Sequence, residues 1–182
     1  MEPSNLQKII IVDFGSQFTQ LVARKIRELG SYSEIINFKN IFKLKNDSSV
    51  KGIILSGGPL SITDNKGISL DSFLIKKKIP ILGICYGHQI LAKKFSGKIK
   101  VSKHREFGKA ILKAKSNSIL TKNFFKSKKK SVVWMSHQDI VQKLPKGFKT
   151  VASSQNSKFA VIANEKLKYY GVQFHPEVSH TE

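Results

Sequence analysis

The stretch Pro80-Ile-Leu-Gly-Ile-Cys-Tyr-Gly-His-Gln-Ile-Leu-Ala-Lys-Lys-Phe95 is an apolar run that leads into a glycine-flanked cysteine and then into apolar residues at helical spacing. Its first five residues have the continuous apolar character that is typical of a strand buried in a parallel sheet. Ile90, Leu91 and Phe95 predict a helix after the cysteine, and Gly97 predicts its end. A strand, a sharp turn and a helix in immediate succession predict an α/β fold.

The rest of the chain divides into two parts at Gly97. Before it, apolar runs alternate with helical spacing, which predicts a mostly parallel central sheet flanked by helices. The predicted strands of this part are 8–13, 33–37, 52–56 and 80–84, and the predicted helices are 21–29, 71–78 and 86–95. After Gly97 the pattern predicts an antiparallel strand-rich extension, with strands at 98–101, 108–115, 132–135, 150–153, 159–163 and 169–174 and a short helix within 117–125. The length of 182 residues predicts a single domain over 1–182.

The composition is strongly basic, with 32 Lys and Arg against 12 Asp and Glu and a formal charge of +20. Only Arg24, Arg27 and Arg105 are arginine, whose planar fork specific nucleic-acid readers use to contact bases and phosphates. We therefore interpret the lysines as a solvated surface and do not expect nucleic acid as a partner. A functional basic patch is the alternative that the composition leaves open.

Simple counts exclude several classes of protein. The lone cysteine, Cys85, rules out an internal disulfide framework and favours a reducing compartment. No stretch approaches the ~20 apolar residues of a membrane span, and the N-terminus lacks the pattern of a secretory signal. We expect a cytoplasmic protein without a membrane anchor. The sequence contains no cysteine or histidine cluster with zinc spacing and no phosphate-binding glycine loop, so no metal site is predicted.

Gly83-Ile-Cys-Tyr-Gly87 has the glycine–x–nucleophile–x–glycine pattern of a nucleophile elbow, and it lies between a predicted strand and a predicted helix. The two glycines allow the backbone to turn sharply, so that the thiol stands above the sheet. The N-terminus of the following helix favours the thiolate form. Cys85 is therefore the candidate nucleophile, and a buried structural cysteine is the alternative.

A cysteine nucleophile needs a base and a group that orients the base. His175 follows the apolar run 169–174, and Glu177 lies close enough in sequence to steady its imidazole. The proline between them restricts the local backbone. Taken alone, a His-Pro-Glu segment is more often an inert surface loop. His88, on the elbow helix, is predicted either to pack within the protein or to support a residue of the site from behind, and His180 is predicted to be solvated.

An acyl-transfer site also needs hydrogen-bond donors for the oxyanion. Gly57-Gly-Pro59 follows the predicted strand 52–56 and can present the Gly58 N–H at the carboxyl ends of the strands, where such sheets bind ligands. The Tyr86 N–H belongs to the residue after the nucleophile. An ordinary turn is the alternative for the glycine pair.

Three motifs together resemble the class I, triad-type glutamine amidotransferase family: Ser56-Gly-Gly-Pro59, Gly83-Ile-Cys-Tyr-Gly-His-Gln89 and His175-Pro-Glu177. Asp13-Phe-Gly-Ser-Gln17, Trp134-Met-Ser-His-Gln-Asp139 and the segment 171–181 are similar to the glutaminase part of GMP synthetases. The resemblance runs from about residue 6 to the last residue. It implies the class I glutamine amidotransferase fold, which is flavodoxin-like.

The resemblance implies that the Cys85 thiolate attacks the side-chain amide of glutamine and forms a glutamyl thioester. His175 would protonate the leaving ammonia and then activate water, and Glu177 would orient the imidazole. The oxyanion would be held by the Gly58 and Tyr86 N–H groups. The residues implied to bind glutamine are Gln89 and the predicted loop Ser136, His137, Gln138 and Asp139.

The resemblance also implies a partner, an ATP-pyrophosphatase unit of GMP synthetase that converts XMP to GMP with the ammonia. ATP and Mg²⁺ are expected only on that unit, and no cofactor is expected in this chain. Two departures from the family pattern stand out: Gln138 lies where many relatives have glycine, and the chain stops at Glu182 without the family's final C-terminal helix. We expect a separate glutaminase subunit or a part of a fused enzyme. A different ammonia acceptor, or a catalytically weak basic module with a binding or regulatory role, is the alternative.

Overall fold

A computed structural model describes residues 6–63, 70, 72–125 and 128–182. The strands are β1 (Lys8–Asp13), β2 (Ser33–Asn37), β3 (Val50–Leu55), β4 (Ile81–Ile84), β5 (Lys98–Ala114), β6 (Lys130–Lys143), β7 (Lys149–Ser153), β8 (Val161–Asn164) and β9 (Tyr169–Val172). The α-helices are α1 (Thr19–Glu28), α2 (Ser72–Lys76) and α3 (Tyr86–Lys94), and short 3₁₀ helices cover Phe38–Leu44 and Ile119–Thr121. Within the described residues, no helix combines the length and apolar character that crossing a membrane requires.

The strands form one nine-stranded sheet in the order β2-β1-β3-β4-β9-β8-β7-β5-β6. From β2 to β9 every neighbouring pair is parallel, and from β9 to β6 every neighbouring pair is antiparallel. The last strand, β9, joins the two parts because it pairs with β4 on one side and β8 on the other. The predicted α/β fold, with a parallel sheet and an antiparallel extension, is confirmed.

The core lies on both faces of the sheet, as two clusters of buried apolar side chains. On β1, Ile10 and Val12 belong to one cluster and Ile11 belongs to the other. Successive side chains of a strand point to opposite faces, so a continuous apolar run is what a strand covered on both sides requires. Burial on both faces therefore explains why all residues between Lys8 and Asp13 are apolar.

The strand-rich part differs from the prediction in its lengths. The predicted strands 98–101 and 108–115 are one strand, β5, whose pairing with β6 shifts register between Val101 and Glu106. Residues 136–139, which were expected to form a loop, are part of β6. The prediction was wrong because polar residues can continue a strand when cross-strand partners satisfy them, as Glu106 does for His137.

The structure contains a helix at each predicted helical segment and one further helix that was not predicted. The predicted helices 21–29 and 86–95 correspond to α1 and α3. The predicted helix 71–78 is the short α2, and residue 71 lies outside the described residues. Only the single 3₁₀ turn Ile119–Thr121 forms within 117–125, and the 3₁₀ helix Phe38–Leu44, capped by Asn37, was not predicted.

The elbow between β4 and α3 depends on close approach of backbone to backbone. A Cβ on Gly83 would lie 2.5 Å from the Gly87 carbonyl oxygen, and a Cβ on Gly87 would overlap the Leu55 carbonyl group. The Gly87 N–H donates to the Ser56 carbonyl at 3.0 Å, which ties α3 to the end of β3. The two glycines therefore allow the helix to begin directly against the sheet.

Replacing Gly87 with alanine is expected to lower the free energy of unfolding by about 3 kcal/mol, or to prevent folding, because backbone must move to admit a methyl group. Gly52→Ala is the matched control, since a Cβ there meets its nearest atoms only at 3.9 Å. We expect a change below about 1 kcal/mol for the control. Urea unfolding followed by circular dichroism measures both values, and equal stabilities would contradict this account of the elbow.

Candidate active site

The site forms where β4 and β9 end side by side. The two strands are parallel, and Ile84 pairs with Val172 as the last pair of their register. The Cys85 N–H continues the ladder by donating to the Val172 carbonyl at 2.8 Å. Parallel pairing therefore brings the residue after β4 against the residues after β9, although they are distant in sequence. This places Cys85 next to the segment that contains His175.

Cys85 is the residue that precedes α3, with φ 50° and ψ −102°. A positive φ is uncommon for a residue with a side chain and persists only where the surroundings enforce it, which occurs often at functional sites. Cys85 is 7% exposed and lies at the positive end of the α3 dipole. These features confirm the predicted elbow geometry.

His175 and Glu177 form a buried pair beside the thiol. The His175 Nδ1 lies 2.7 Å from the Glu177 Oε1, and both residues are at most 5% exposed. The loop is held at both ends of His175, because its N–H donates to the Trp134 carbonyl and its carbonyl accepts from the Thr181 hydroxyl. The predicted nucleophile, base and orienting carboxylate are therefore brought together.

The charge state of His175 follows from its two neighbours. Burial lowers the pKa of this imidazole, but hydrogen bonds to Cys85 and Glu177, together with their negative charges, outweigh burial and raise it to about 10. At neutral pH the ring is thus an imidazolium that lies between the Cys85 sulfur and the Glu177 carboxyl group. Since Glu177 engages Nδ1, the Nε2 edge is the one available to the sulfur.

Gly58 and Tyr86, the predicted oxyanion donors, line the same cavity as Cys85. A Cβ on Gly58 would lie 3.0 Å from the Phe14 carbonyl oxygen, so the loop after β3 lies tightly against the end of β1. The Ser56 hydroxyl holds this arrangement by accepting from the Phe14 N–H and donating to the carbonyl of the next residue. The loop is therefore fixed at the strand ends, as the sequence predicted.

The cavity has a volume of about 460 Å³, which is enough for an amino acid. All five residues that the resemblance assigns to glutamine binding line it, namely Gln89, Ser136, His137, Gln138 and Asp139. Residues without a predicted role line it too, namely Pro59, Leu60, Ser61, Thr63, Val101 and Phe107. The structure thus brings the predicted binding residues together, with those from β6 presented by a strand rather than by a loop.

Two of these residues have partners within the protein. The His137 Nε2 lies 3.1 Å from the Glu106 Oε2, and Glu106 also accepts from the Ser154 hydroxyl at 2.9 Å. Burial raises the pKa of Glu106, but these hydrogen bonds outweigh it and hold that pKa below its ordinary value. Asp139 accepts a short hydrogen bond from Ser61 across the cavity. Sequence reasoning missed Glu106, which only the β5–β6 register places opposite His137.

Gln173 is the other residue that sequence reasoning missed. It is fully buried, its Nε2 lies 3.8 Å from the Cys85 Sγ, and its Oε1 lies 3.4 Å from the Gln89 Nε2. The sequence feature that could have identified Gln173 is its position, since it is a polar residue near the end of the apolar run 169–174, two positions before His175. A fully buried amide at such a position requires hydrogen-bond partners.

The remaining histidines lie outside the reacting centre. His88 is fully buried on α3, and burial, followed by the nearby His137, lowers its pKa to about 3, although the Phe159 backbone raises it slightly. It is therefore neutral and packs within the protein, as predicted. His180 is exposed, and its ring contacts that of Trp134 in a tilted arrangement with centroids 4.6 Å apart. Among the described residues, no group of three or more His, Cys, Asp or Glu side chains could hold a metal ion.

Residues 10–182 match the family model described as Glutamine amidotransferase class-I. GMP synthase (glutamine-hydrolyzing) from Campylobacter lari is 46% identical over 174 residues, which are 96% of this chain and 34% of that protein. The chain therefore spans about a third of the length of the curated relatives it matches.

Solved structures share this fold. A protein described as a GMP synthase subunit from Thermoplasma acidophilum has a TM-score of 0.82 and 32% identity, covering 97% of this chain and 87% of that chain. A glutamine amidotransferase from Thermotoga maritima has a TM-score of 0.69 at 22% identity, covering 94% and 76% of the two chains. With the elbow, the buried pair and the family match in agreement, the chain belongs to the class-I glutamine amidotransferase family.

Proposed function

We propose that this chain hydrolyses L-glutamine to glutamate and ammonia through a glutamyl thioester on Cys85. The observation that carries the proposal is the buried His175–Glu177 pair, 2.7 Å apart, beside a cysteine held at the N-terminus of α3. A nucleophile, a base and an orienting carboxylate in contact with one another are what amide hydrolysis through a covalent intermediate requires. The Campylobacter lari relative, a glutamine-hydrolyzing GMP synthase, supports the same substrate.

In the first step the Cys85 thiolate attacks the amide carbon of glutamine. The negative charge moves to the amide oxygen, where the Gly58 and Tyr86 N–H groups are proposed to receive it. The imidazolium of His175 gives its Nε2 proton to the amide nitrogen. The C–N bond then breaks, ammonia leaves and the thioester remains, while Glu177 keeps the ring oriented.

Formation of the thioester prepares His175 for the second step. The sulfur loses its negative charge, so one of the two interactions that raise the pKa of His175 is removed, while burial still lowers it. The neutral imidazole can then accept a proton from water. The hydroxide attacks the thioester, glutamate is released, and the Cys85 thiolate is restored with its imidazolium partner.

The binding roles follow the cavity lining. We propose that Gln89, Ser136, His137, Gln138 and Asp139 hold the amino-acid end of glutamine. Both amide hydrogens of Gln89 are engaged, by the Asp139 carbonyl at 2.8 Å and the Gln173 Oε1 at 3.4 Å. Gln89 therefore has only its Oε1 to offer, which suits an ammonium or amide donor of the substrate.

We propose that the ammonia is delivered to an ATP-pyrophosphatase unit of GMP synthetase, which binds ATP and Mg²⁺ and converts XMP to GMP. The name GMP synthase, which the Campylobacter lari and Thermoplasma acidophilum relatives share, supports this acceptor. The match to about a third of the longer relatives is compatible with a synthetase unit in the remainder of those proteins. No cofactor is needed by the hydrolytic steps themselves.

Replacing Cys85 with alanine is expected to reduce glutamine turnover at least ~1,000-fold, because the covalent route is lost. Release of glutamate, followed with a coupled dehydrogenase assay, measures the change. His104→Ala is a suitable control, since His104 is exposed and does not line the cavity. Retention of turnover in Cys85→Ala would refute the proposed chemistry.

The acceptor is tested separately with the ATP-pyrophosphatase unit of the same organism. With XMP, ATP and Mg²⁺ present, we expect glutamine to support GMP formation, and we expect Cys85→Ala to abolish this while ammonium salts still support it. Glutamate release without glutamine-dependent GMP formation would mean that the chain serves another acceptor.

The third test concerns the charge of His175. Its pKa in the folded protein, about 10, lies above the ordinary 6.5, so protonated His175 stabilises the fold fully below pH 6.5 and loses this contribution as the pH rises through 10. In Cys85→Ala we expect the imidazole pKa to fall by about two units, because the thiolate partner is absent. NMR titration of labelled histidine measures it. An unchanged midpoint in the variant would exclude the thiolate as the cause.

A further inference from the structure

The Gln173 side chain lies between the nucleophile and a glutamine of α3. Its backbone is fixed on both sides, because the Gln173 N–H donates to the Ala160 carbonyl at 2.8 Å and the neighbouring Val172 carbonyl accepts from Cys85. As the residue after the Ile84–Val172 pair, Gln173 is the cross-strand counterpart of Cys85. The register of β4 and β9 therefore places a buried amide beside the sulfur.

The orientation of this amide follows from a chain of hydrogen bonds that begins at a backbone group. The Asp139 carbonyl can only accept, so the Gln89 atom 2.8 Å from it must be the NH₂ group. The second hydrogen of that NH₂ points to Gln173, whose facing atom must then be the oxygen, at 3.4 Å. This leaves the Gln173 NH₂ directed at the Cys85 Sγ, at 3.8 Å.

The opposite orientation of Gln173 is unfavourable at both ends. It would place two NH₂ groups against each other at Gln89, and it would place a carbonyl oxygen against the sulfur. One carbonyl already faces the sulfur, that of Ser136 at 3.7 Å, which can accept from a thiol but repels a thiolate. The amide donor of Gln173 is therefore a neutral group that favours the charged form of Cys85.

We propose that Gln173 is a catalytic residue that donates an amide hydrogen to the Cys85 thiolate, with Gln89 and the Asp139 carbonyl as the positioning groups. The proposal rests on Cys85 being the nucleophile of the proposed function. Gln173 differs from His175 because an amide cannot transfer its proton at neutral pH. It stabilises the sulfur as an anion in the resting enzyme and again when the thiolate leaves in deacylation.

The expected change in the equilibrium between thiol and thiolate follows from the charge on the sulfur, which accepts the hydrogen bond. Hydrogen bonds to charged groups are the stronger class, and loss of one is expected to change the equilibrium between thiol and thiolate about tenfold. The hydrogen bond increases the fraction of thiolate, but part of its effect on the rate is offset because a stabilised thiolate is a weaker nucleophile. A titration of the sulfur is therefore a sharper test than turnover alone.

The titratable groups around the sulfur are few. His175 contacts it and is backed by Glu177, while Asp139, hydrogen-bonded to Ser61, lines the same cavity. His137 is held by Glu106 in the cavity wall. All of these groups remain in variants of Gln173.

The test is the pH dependence of alkylation of the full chain by iodoacetamide. Cys85 is the only cysteine in 182 residues, so alkylation reports this thiol alone. In Gln173→Met, which retains an apolar arm of similar length, we expect the midpoint of the rate–pH profile to rise by about one pH unit. The plateau rate at high pH is expected to rise by no more than about threefold, because the less stabilised thiolate is the stronger nucleophile while the access of the reagent is unchanged.

Two further variants and a control complete the design. Gln173→Glu has the same shape without the amide donor, so its midpoint should rise at least as far as that of Gln173→Met. Gln89→Met should give a smaller rise, because Gln173 loses the group that orients it. The control is Gln142→Met, an exposed position on β6 that does not line the cavity, and it should match the wild-type profile.

Profiles of folded Gln173→Met and Gln173→Glu that superimpose on the wild-type profile would overturn the proposal. If Gln173→Met fails to fold, as judged by circular dichroism, the Gln173→Glu and Gln89→Met profiles decide in the same way. Alkylation needs neither glutamine nor a synthetase unit, so the result is separable from the proposed function. A wild-type chain that shows these shifts but no glutamine turnover would refute the function and leave the role of Gln173 standing.

Discussion

The pairing of β4 with β9 is the constraint on which the rest of the site depends. One hydrogen bond, from the Cys85 N–H to the Val172 carbonyl at 2.8 Å, closes the ladder at the end where the chemistry is located. It aligns the elbow with the segment that carries Gln173, His175 and Glu177. Because β9 also pairs with β8, the parallel sheet and the antiparallel extension both hold this segment. A one-residue slip would turn each side chain of β9 to the opposite face, so register alone decides whether the triad exists.

The electrostatics of the site follow from this geometry. Two potential anions, the Cys85 thiolate and the Glu177 carboxylate, flank one imidazolium in a region of low exposure. A buried charge that is not matched carries a large desolvation penalty, so the surplus negative charge needs further compensation. The α3 N-terminus and the Gln173 amide are the neutral groups that supply it. A second full positive charge would instead lower the pKa of His175 by repulsion and disfavour the imidazolium that protonates the leaving ammonia.

Much of this arrangement could be predicted from the sequence, and the exceptions have physical reasons. Cys85, His175 and Glu177 lie in short motifs next to continuous apolar runs, and such runs identify both the strand and the end at which the motif lies. Glu106 could not be found this way, because its role exists only through cross-strand pairing with His137 across a register shift. The loop prediction for 136–139 failed for the same reason, since long-range pairing overrode local polarity. Gln173 lies within the motif 171–181, but its proposed role depends on which of its two amide atoms faces the sulfur.

The formal charge of +20 does not arise from the described lining of the catalytic cavity. None of the described residues that line the catalytic cavity is Lys or Arg, whereas a separate cavity of about 810 Å³ is lined by Lys115, Lys122, Lys128, Lys129 and Lys149. Glutamine carries no net charge at neutral pH, so its binding needs no surplus cation. Exposed lysines are screened over about 8 Å at physiological ionic strength, and they contribute little to a buried sulfur. The proposed thiolate of Cys85 must therefore be stabilised by local groups and not by the lysine-rich surface.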